Sequence, residues 1–140
     1  MRSATETIGI EQDATSVFEF VASPENLPQW AVGFCKNIRR NGEQWIVDTG
    51  KGDVGLRIVA DHSRGIVDFH MSPAPGIEAV AYSRVIPRGR GAEYVFTFFQ
   101  EPHLDDAAFD AGVRTLADEL RLLRMRLEPC PTSSGDSDRA

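Results

Sequence analysis

The feature that most constrains this chain lies between Gly33 and Glu101. Six short segments rich in β-branched and aromatic residues follow one another there, separated by glycine-bearing turns and with no helical stretch between them. The segments are GFCKNIRR, EQWIVDT, DVGLRIVAD, GIVDFHMS, IEAVAYSRVIP and AEYVFTFFQE; the turns are NG, GKG, SRG, PAPG and RGRG. Such turns join antiparallel neighbours, because a parallel pair needs a crossover of roughly a dozen residues or more. The spacing therefore predicts an antiparallel meander. Alternation is plainest in the fourth segment, where Val67, Phe69 and Met71 share one face and Asp68 and His70 the other. In the sixth, Tyr94, Phe96 and Phe98 oppose Val95, Thr97 and Phe99.

The flanks supply what covers this sheet. Ala4 to Ile10, ATETIGI, predicts a seventh strand. In DATSVFEFVAS, Asp13 is a suitable N-cap, and Ala14, Val17, Phe18 and Val21 recur with helical spacing. Ser23 is placed to cap a second, shorter helix with Pro24 at its first position and Pro28 ending or tightening it. Leu27 and Trp30, three apart, then turn inward together. Asp105 caps a long helix whose stripe is Phe109, Val113, Leu116, Leu120, Leu123 and Leu127, with Asp110, Arg114, Asp118 and Arg121 on the opposite face. Pro129 stops it. Residues 129–140, PCPTSSGDSDRA, hold almost nothing to bury and are expected to form a disordered tail after a single domain at 1–128. The expected fold class is α+β: a curved seven-stranded antiparallel sheet wrapped around a long C-terminal helix, with two short helices after the first strand.

That order of elements, together with TIGIEQDATSVFEFVASPENLPQWA, AYSRVIPRGRGAEYVFTFF and the closing helix, resembles the SRPBCC superfamily of helix-grip proteins. These include START lipid-transfer domains, birch pollen allergen-like proteins and bacterial polyketide cyclase/dehydrase-like proteins. The resemblance covers about residues 4–128, and its most specific part ends in PENLPQW. It implies a hydrophobic cavity between the concave sheet face and the long helix, holding a lipid, polyketide or similar molecule. It does not imply catalysis, since the superfamily mixes binders, transfer proteins and enzymes. The iron-binding histidines and aspartate of its Rieske-type oxygenase branch have no counterpart in the sequence.

Composition narrows the function classes. At 140 residues the chain is long enough to bury roughly two thirds of its unfolded surface. No apolar run approaches the roughly 20 residues of a membrane helix, and the N-terminus shows no signal-peptide core, so a soluble cytoplasmic protein is expected. Cys35 and Cys130 are far apart in sequence and Cys130 falls in the expected tail, so no structural bridge is expected and a reducing compartment fits. A net charge of −6 with scattered basic residues argues against nucleic acid as a partner.

Several motifs have two readings. GKGDVG, Gly50 to Gly55, matches a dinucleotide-binding pattern by letter, but LRIVAD follows where a helix is required, so a hairpin turn is expected. PRGRG, Pro87 to Gly91, reads as an anion cradle or a charged hairpin tip, the second being simpler. Asp68 and His70 point the same way on a strand, either as an acid-base dyad or on the surface; with Phe69 and Met71 inward, the surface is expected. His62 and His103 have no metal-ligand spacing, and neither a metal nor a cofactor is expected. On the fifth segment Glu78, Val80, Tyr82, Arg84 and Ile86 alternate with Ala79, Ala81 and Ser83. The bulk of Tyr82 and Val80 favours the first set inside, making Tyr82 and Arg84 polar handles for a ligand carboxylate or carbonyl, with Tyr94 a further one.

The leading expectation is a hydrophobic small molecule held by Trp30, Phe34, Phe69, Tyr82, Arg84, Tyr94, Phe96 and Phe98 with Phe109, Val113 and Leu116 of the long helix. For the helix residues plain packing is the competing reading, and Gly112 beside them marks close packing or a gap. The rival is a metal-free cyclase/dehydrase-type enzyme acting in the same cavity, with Tyr82, Tyr94 or Arg84 polarising a carbonyl. A third reading is an interaction module forming a homodimer through its sheet or helix surface.

Overall fold

Two strands that follow each other in sequence stand at opposite edges of one sheet. In the computed structural model, which describes residues 1–128, β1 (Ser3–Ile10) and β2 (Asn37–Asn41) flank five further strands. These are β3 (Gln44–Asp48), β4 (Asp53–Asp61), β5 (Ile66–Ala74), β6 (Ile77–Arg88) and β7 (Gly91–Phe99). The order across the sheet is β1-β7-β6-β5-β4-β3-β2, antiparallel throughout. Only the connection from β1 to β2 crosses the sheet, and it contains the short helices α1 (Ala14–Val21) and α2 (Leu27–Trp30). The long helix α3 (Asp106–Leu127) completes the cover of the concave face. This is the helix-grip arrangement. The expected tail, with Pro129 and Cys130, lies outside the described residues.

Local chemistry sets the element boundaries. Asp13 caps α1 as expected, accepting from the Ser16 backbone N–H at 3.0 Å and the Ser16 hydroxyl at 2.8 Å, which holds its carboxyl below the usual range. Asp105 does the same for α3, accepting from the Ala108 N–H at 2.7 Å. Ser23 behaves differently: its hydroxyl donates to the Glu19 carbonyl at 2.7 Å and caps nothing. Pro24–Asn26 form a 3₁₀ turn, and Pro28 sits in the first turn of α2. Pro28 therefore sits at the start of α2 where it was expected to end or tighten a helix, because a first-turn residue has no intrahelical use for the N–H that proline lacks. The GKG turn is a hairpin, with Gly50 and Gly52 at φ +83° and +145°, conformations that side chains oppose.

β2 begins at Asn37, four residues later than the sequence suggests. The Phe34 and Cys35 N–H groups both donate to the Ala31 carbonyl, at 3.1 and 2.7 Å, so Gly33–Lys36 winds off the end of α2 before it extends. Inside, Val17, Val21, Leu27 and Trp30 from the helical pair meet Val47, Leu56, Val67 and Val85 from the sheet and Leu116, Leu120 and Leu123 from α3. Each large aliphatic side chain fully buried there contributes about 1.5–3 kcal/mol.

Candidate functional site

The core is incomplete on one side, and the cross-strand register explains why. On the concave face Phe69 of β5 stands opposite Ala81 of β6, Met71 opposite Ala79, and Phe96 of β7 opposite Ser83. Small residues on β6 thus separate aromatic rows on its two neighbours. The helices do not fill the trough. It forms a cavity of about 330 Å³ walled by Leu27, Trp30, Ala31, Gly33 and Phe34 on the α2 side, by Phe69, Met71, Ala81, Phe96 and Phe98 on the sheet, and by Gly112, Thr115, Leu116 and Glu119 on α3.

Trp30, Phe34, Phe69, Phe96, Phe98 and Leu116, all expected to line a pocket, are brought together here. Tyr82 and Arg84 are not. Both are exposed on the convex face, Tyr82 by 46%, where its ring meets Phe99 edge-on at 6.0 Å and the Arg84 Nε–H donates to the Arg64 carbonyl at 3.3 Å. The expectation that they face inward is corrected: β6 lies between the inward aromatic side chains of β5 and β7 and turns Ala79, Ala81 and Ser83 inward, so its bulky residues mark the outer face. Phe109 is buried but lies outside the cavity wall, its ring packing at 5.1 Å on Phe98 with the Arg2 guanidinium 4.9 Å over it. Val113 is half-buried beside it and also outside the wall. His70 lies on the convex side of β5, its Nδ1 3.5 Å from the Glu78 carboxylate of β6.

Tyr94 is fully buried behind the wall, edge-on to Trp30 at 6.2 Å and to Phe96 at 6.3 Å. Burial drives its phenol far above the ordinary pKa, and the nearby Glu119 charge adds to the rise. The Ser83 hydroxyl donates to the Val67 carbonyl at 2.6 Å, and the Tyr94 hydroxyl has no hydrogen-bond partner among the described residues. The Trp30 indole N–H is likewise buried and unpartnered. An unsatisfied buried polar group costs about 1–3 kcal/mol, so these two on adjoining rings are a local cost of the packing behind the wall.

The residue that sequence reasoning missed is Glu119. It is only 7% exposed, borders the cavity, and its Oε2 accepts from the Gly33 N–H at 3.0 Å and the Phe34 N–H at 3.2 Å. Burial pushes its carboxyl up to about 7 despite those two amides and the charge of Lys36; Asp118 raises it slightly further. Gly33 is what permits the contact, since a Cβ there would overlap the Thr115 methyl group. The signal was present: Glu119 falls three residues after Leu116 and four before Leu123, within the apolar stripe. Cys35, the nearby thiol, is buried and pushed up to about 11 by desolvation first and the Asp48 and Glu119 charges next, which makes it a poor nucleophile. No three His, Cys, Asp or Glu side chains converge in a metal-binding group among the described residues. No helix of the described residues is long and apolar enough to cross a membrane.

No protein-family model matches the chain, and no curated protein matches it by sequence. Solved structures do match in shape. An Aha1 dimer from Colwellia psychrerythraea superposes with a TM-score of 0.73 at 14% identity, over 91% of this chain and 97% of that one. A START superfamily protein from Mycobacterium smegmatis gives 0.65 at 13% identity, over 89% and 96%. The di-domain ARO/CYC BexL from the BE-7585A biosynthetic pathway gives 0.66 at 20% identity, over 89% of this chain and 46% of that one. At these identities the likeness concerns the fold, and it bears out the expected helix-grip arrangement.

Proposed function

We propose that this chain binds one small apolar molecule in the cavity between β5–β7 and α3, with Glu119 as its polar contact. The observation that carries the reading is the wall itself: aromatic and aliphatic side chains around about 330 Å³, interrupted by one buried carboxyl. Small-molecule pockets have this composition and start at about this size. Near neutral pH the carboxyl is close to half ionised, so it offers a guest either a donor or an acceptor. A START superfamily protein and an ARO/CYC protein share the fold, which supports a cavity put to use. Native mass spectrometry of protein purified without detergent tests the proposal, with a bound organic molecule or capture of an added apolar probe expected. A protein that captures none of a broad apolar panel contradicts it.

Glu119 also favours a second reading, a cyclase/dehydrase-type enzyme without metal. A carboxyl near pKa 7 facing an apolar cavity has the protonation balance that general acid-base catalysis needs. Tyr82 and Arg84 have no part in it, and Tyr94 is too weak an acid. Turnover of a poly-β-carbonyl substrate that is lost in Glu119→Gln supports this reading; equal turnover in that variant removes it.

A further inference from the structure

The ladder between β6 and β7 does not run the length of the two strands. Its last pair is Tyr82 with Thr97. Beyond it β6 continues as Ile77–Ala81 paired with β5, while Phe98 and Phe99 of β7 pair with Ala4 and Ser3 of β1. Among the described residues no ladder pair joins the two diverging ends. A second cavity of about 270 Å³ occupies the gap. Its wall includes neighbours on both faces of the sheet, Ala79 beside Val80 and Phe98 beside Phe99, as a split in the sheet requires. Leu104 lines it from the segment between β7 and α3, together with the polar side chains of Glu101 and His103. The partition from the main cavity is three side chains common to both walls, Phe34, Met71 and Phe98. Gly112 lies against the Phe98 ring, where a Cβ would meet it at an ordinary 3.7 Å.

We infer that the bound molecule is elongated: its body fills the main cavity, and an unbranched alkyl chain passes Phe98 into the gap between β6 and β7. This rests on the main cavity being a binding site. A narrow apolar slot reached past aromatic and thioether side chains admits a flexible chain and excludes a second ring, since Met71 adapts its shape at small cost. The slot selects for length.

The test is displacement of N-phenyl-1-naphthylamine by a series of n-alkanols, from hexanol to hexadecanol, read by probe fluorescence. In the wild type, affinity rises about fourfold per methylene for as long as each added group is buried. Ala79→Phe and Leu104→Trp add bulk to the slot at two positions that are not themselves part of the main wall. Each is expected to leave hexanol affinity unchanged and to stop the rise at a shorter chain than in the wild type. Two variants on separate elements keep the test valid if one fails to fold. Hexanol binding with a plateau that neither variant moves, or an equal loss at every length, overturns the slot and leaves the cavity proposal standing. A wild type that binds neither probe nor any alkanol overturns both.

Discussion

Replacing Glu119 with glutamine changes one charge and little else, because the amide oxygen of glutamine still accepts from the Gly33 and Phe34 N–H groups. The carboxyl rises from an ordinary 4.5 to about 7 on folding. Below pH about 4.5 it is protonated in folded and unfolded chains alike, and its stabilising contribution relative to the ionised state is fully present. Between 4.5 and 7 the unfolded chain releases the proton while the folded one keeps it, so stability falls as pH rises; above about 7 the loss is complete. At roughly 1.4 kcal/mol per pH unit of difference, the loss totals about 3 kcal/mol. Exposed carboxyls held low in the fold, Asp13, Asp61 and Asp106, act in the opposite sense, so the wild type alone does not isolate Glu119. The difference between wild type and Glu119→Gln does. Urea unfolding of both at pH 5, 6, 7 and 8 is expected to show the variant gaining about 2.5 kcal/mol on the wild type across that range, on the order of 10 °C in Tm. A difference that does not change with pH refutes the assignment of a strained buried carboxylate.

Other substitutions test the packing around the site. Gly112→Ala is expected to raise stability by about 1 kcal/mol, because the helix prefers alanine and the new methyl meets Phe98 at an ordinary 3.7 Å; thermal unfolding checks it. Gly33→Ala is expected to cost about 1–3 kcal/mol by overlap with the Thr115 methyl group, and Thr115→Ser in the same chain to recover most of it, as a double-mutant cycle shows. Asp13→Ala removes the α1 cap and is expected to cost about 1 kcal/mol in chemical denaturation. Tyr82→Phe and Arg84→Ala are expected to leave affinity for an apolar probe unchanged, since both residues sit on the convex face.

The meander and the long helix were legible because period and punctuation agree: NG, GKG, SRG and RGRG turns between alternating segments leave few alternatives. Asp13 and Asp105 were legible as caps for the same local reason. Trp30 and Leu27 were readable as an inward pair, and both are buried. β6 was read inside out. A rule that places bulk in the core fails where the interior is a void, and Ala79, Ala81 and Ser83 are small on the side that encloses space. The burial of Glu119 has a cause that no single segment displays. The amides of Gly33 and Phe34 are satisfied by a carboxylate 86 and 85 residues away, a contact that exists only once α3 lies across the sheet.

The central claim is that the space beneath α3 takes up an apolar molecule. Trp45→Phe leaves Trp30, in the cavity wall and 2% exposed, as the sole indole. Titration of that variant with N-phenyl-1-naphthylamine is expected to quench Trp30 emission saturably, with enhanced probe fluorescence and a rise in Tm that grows with probe concentration. The same titration after Ala81→Phe, which fills the cavity from the sheet side, is expected to lose all three responses. No quenching in the open variant, or equal quenching in the filled one, contradicts the account.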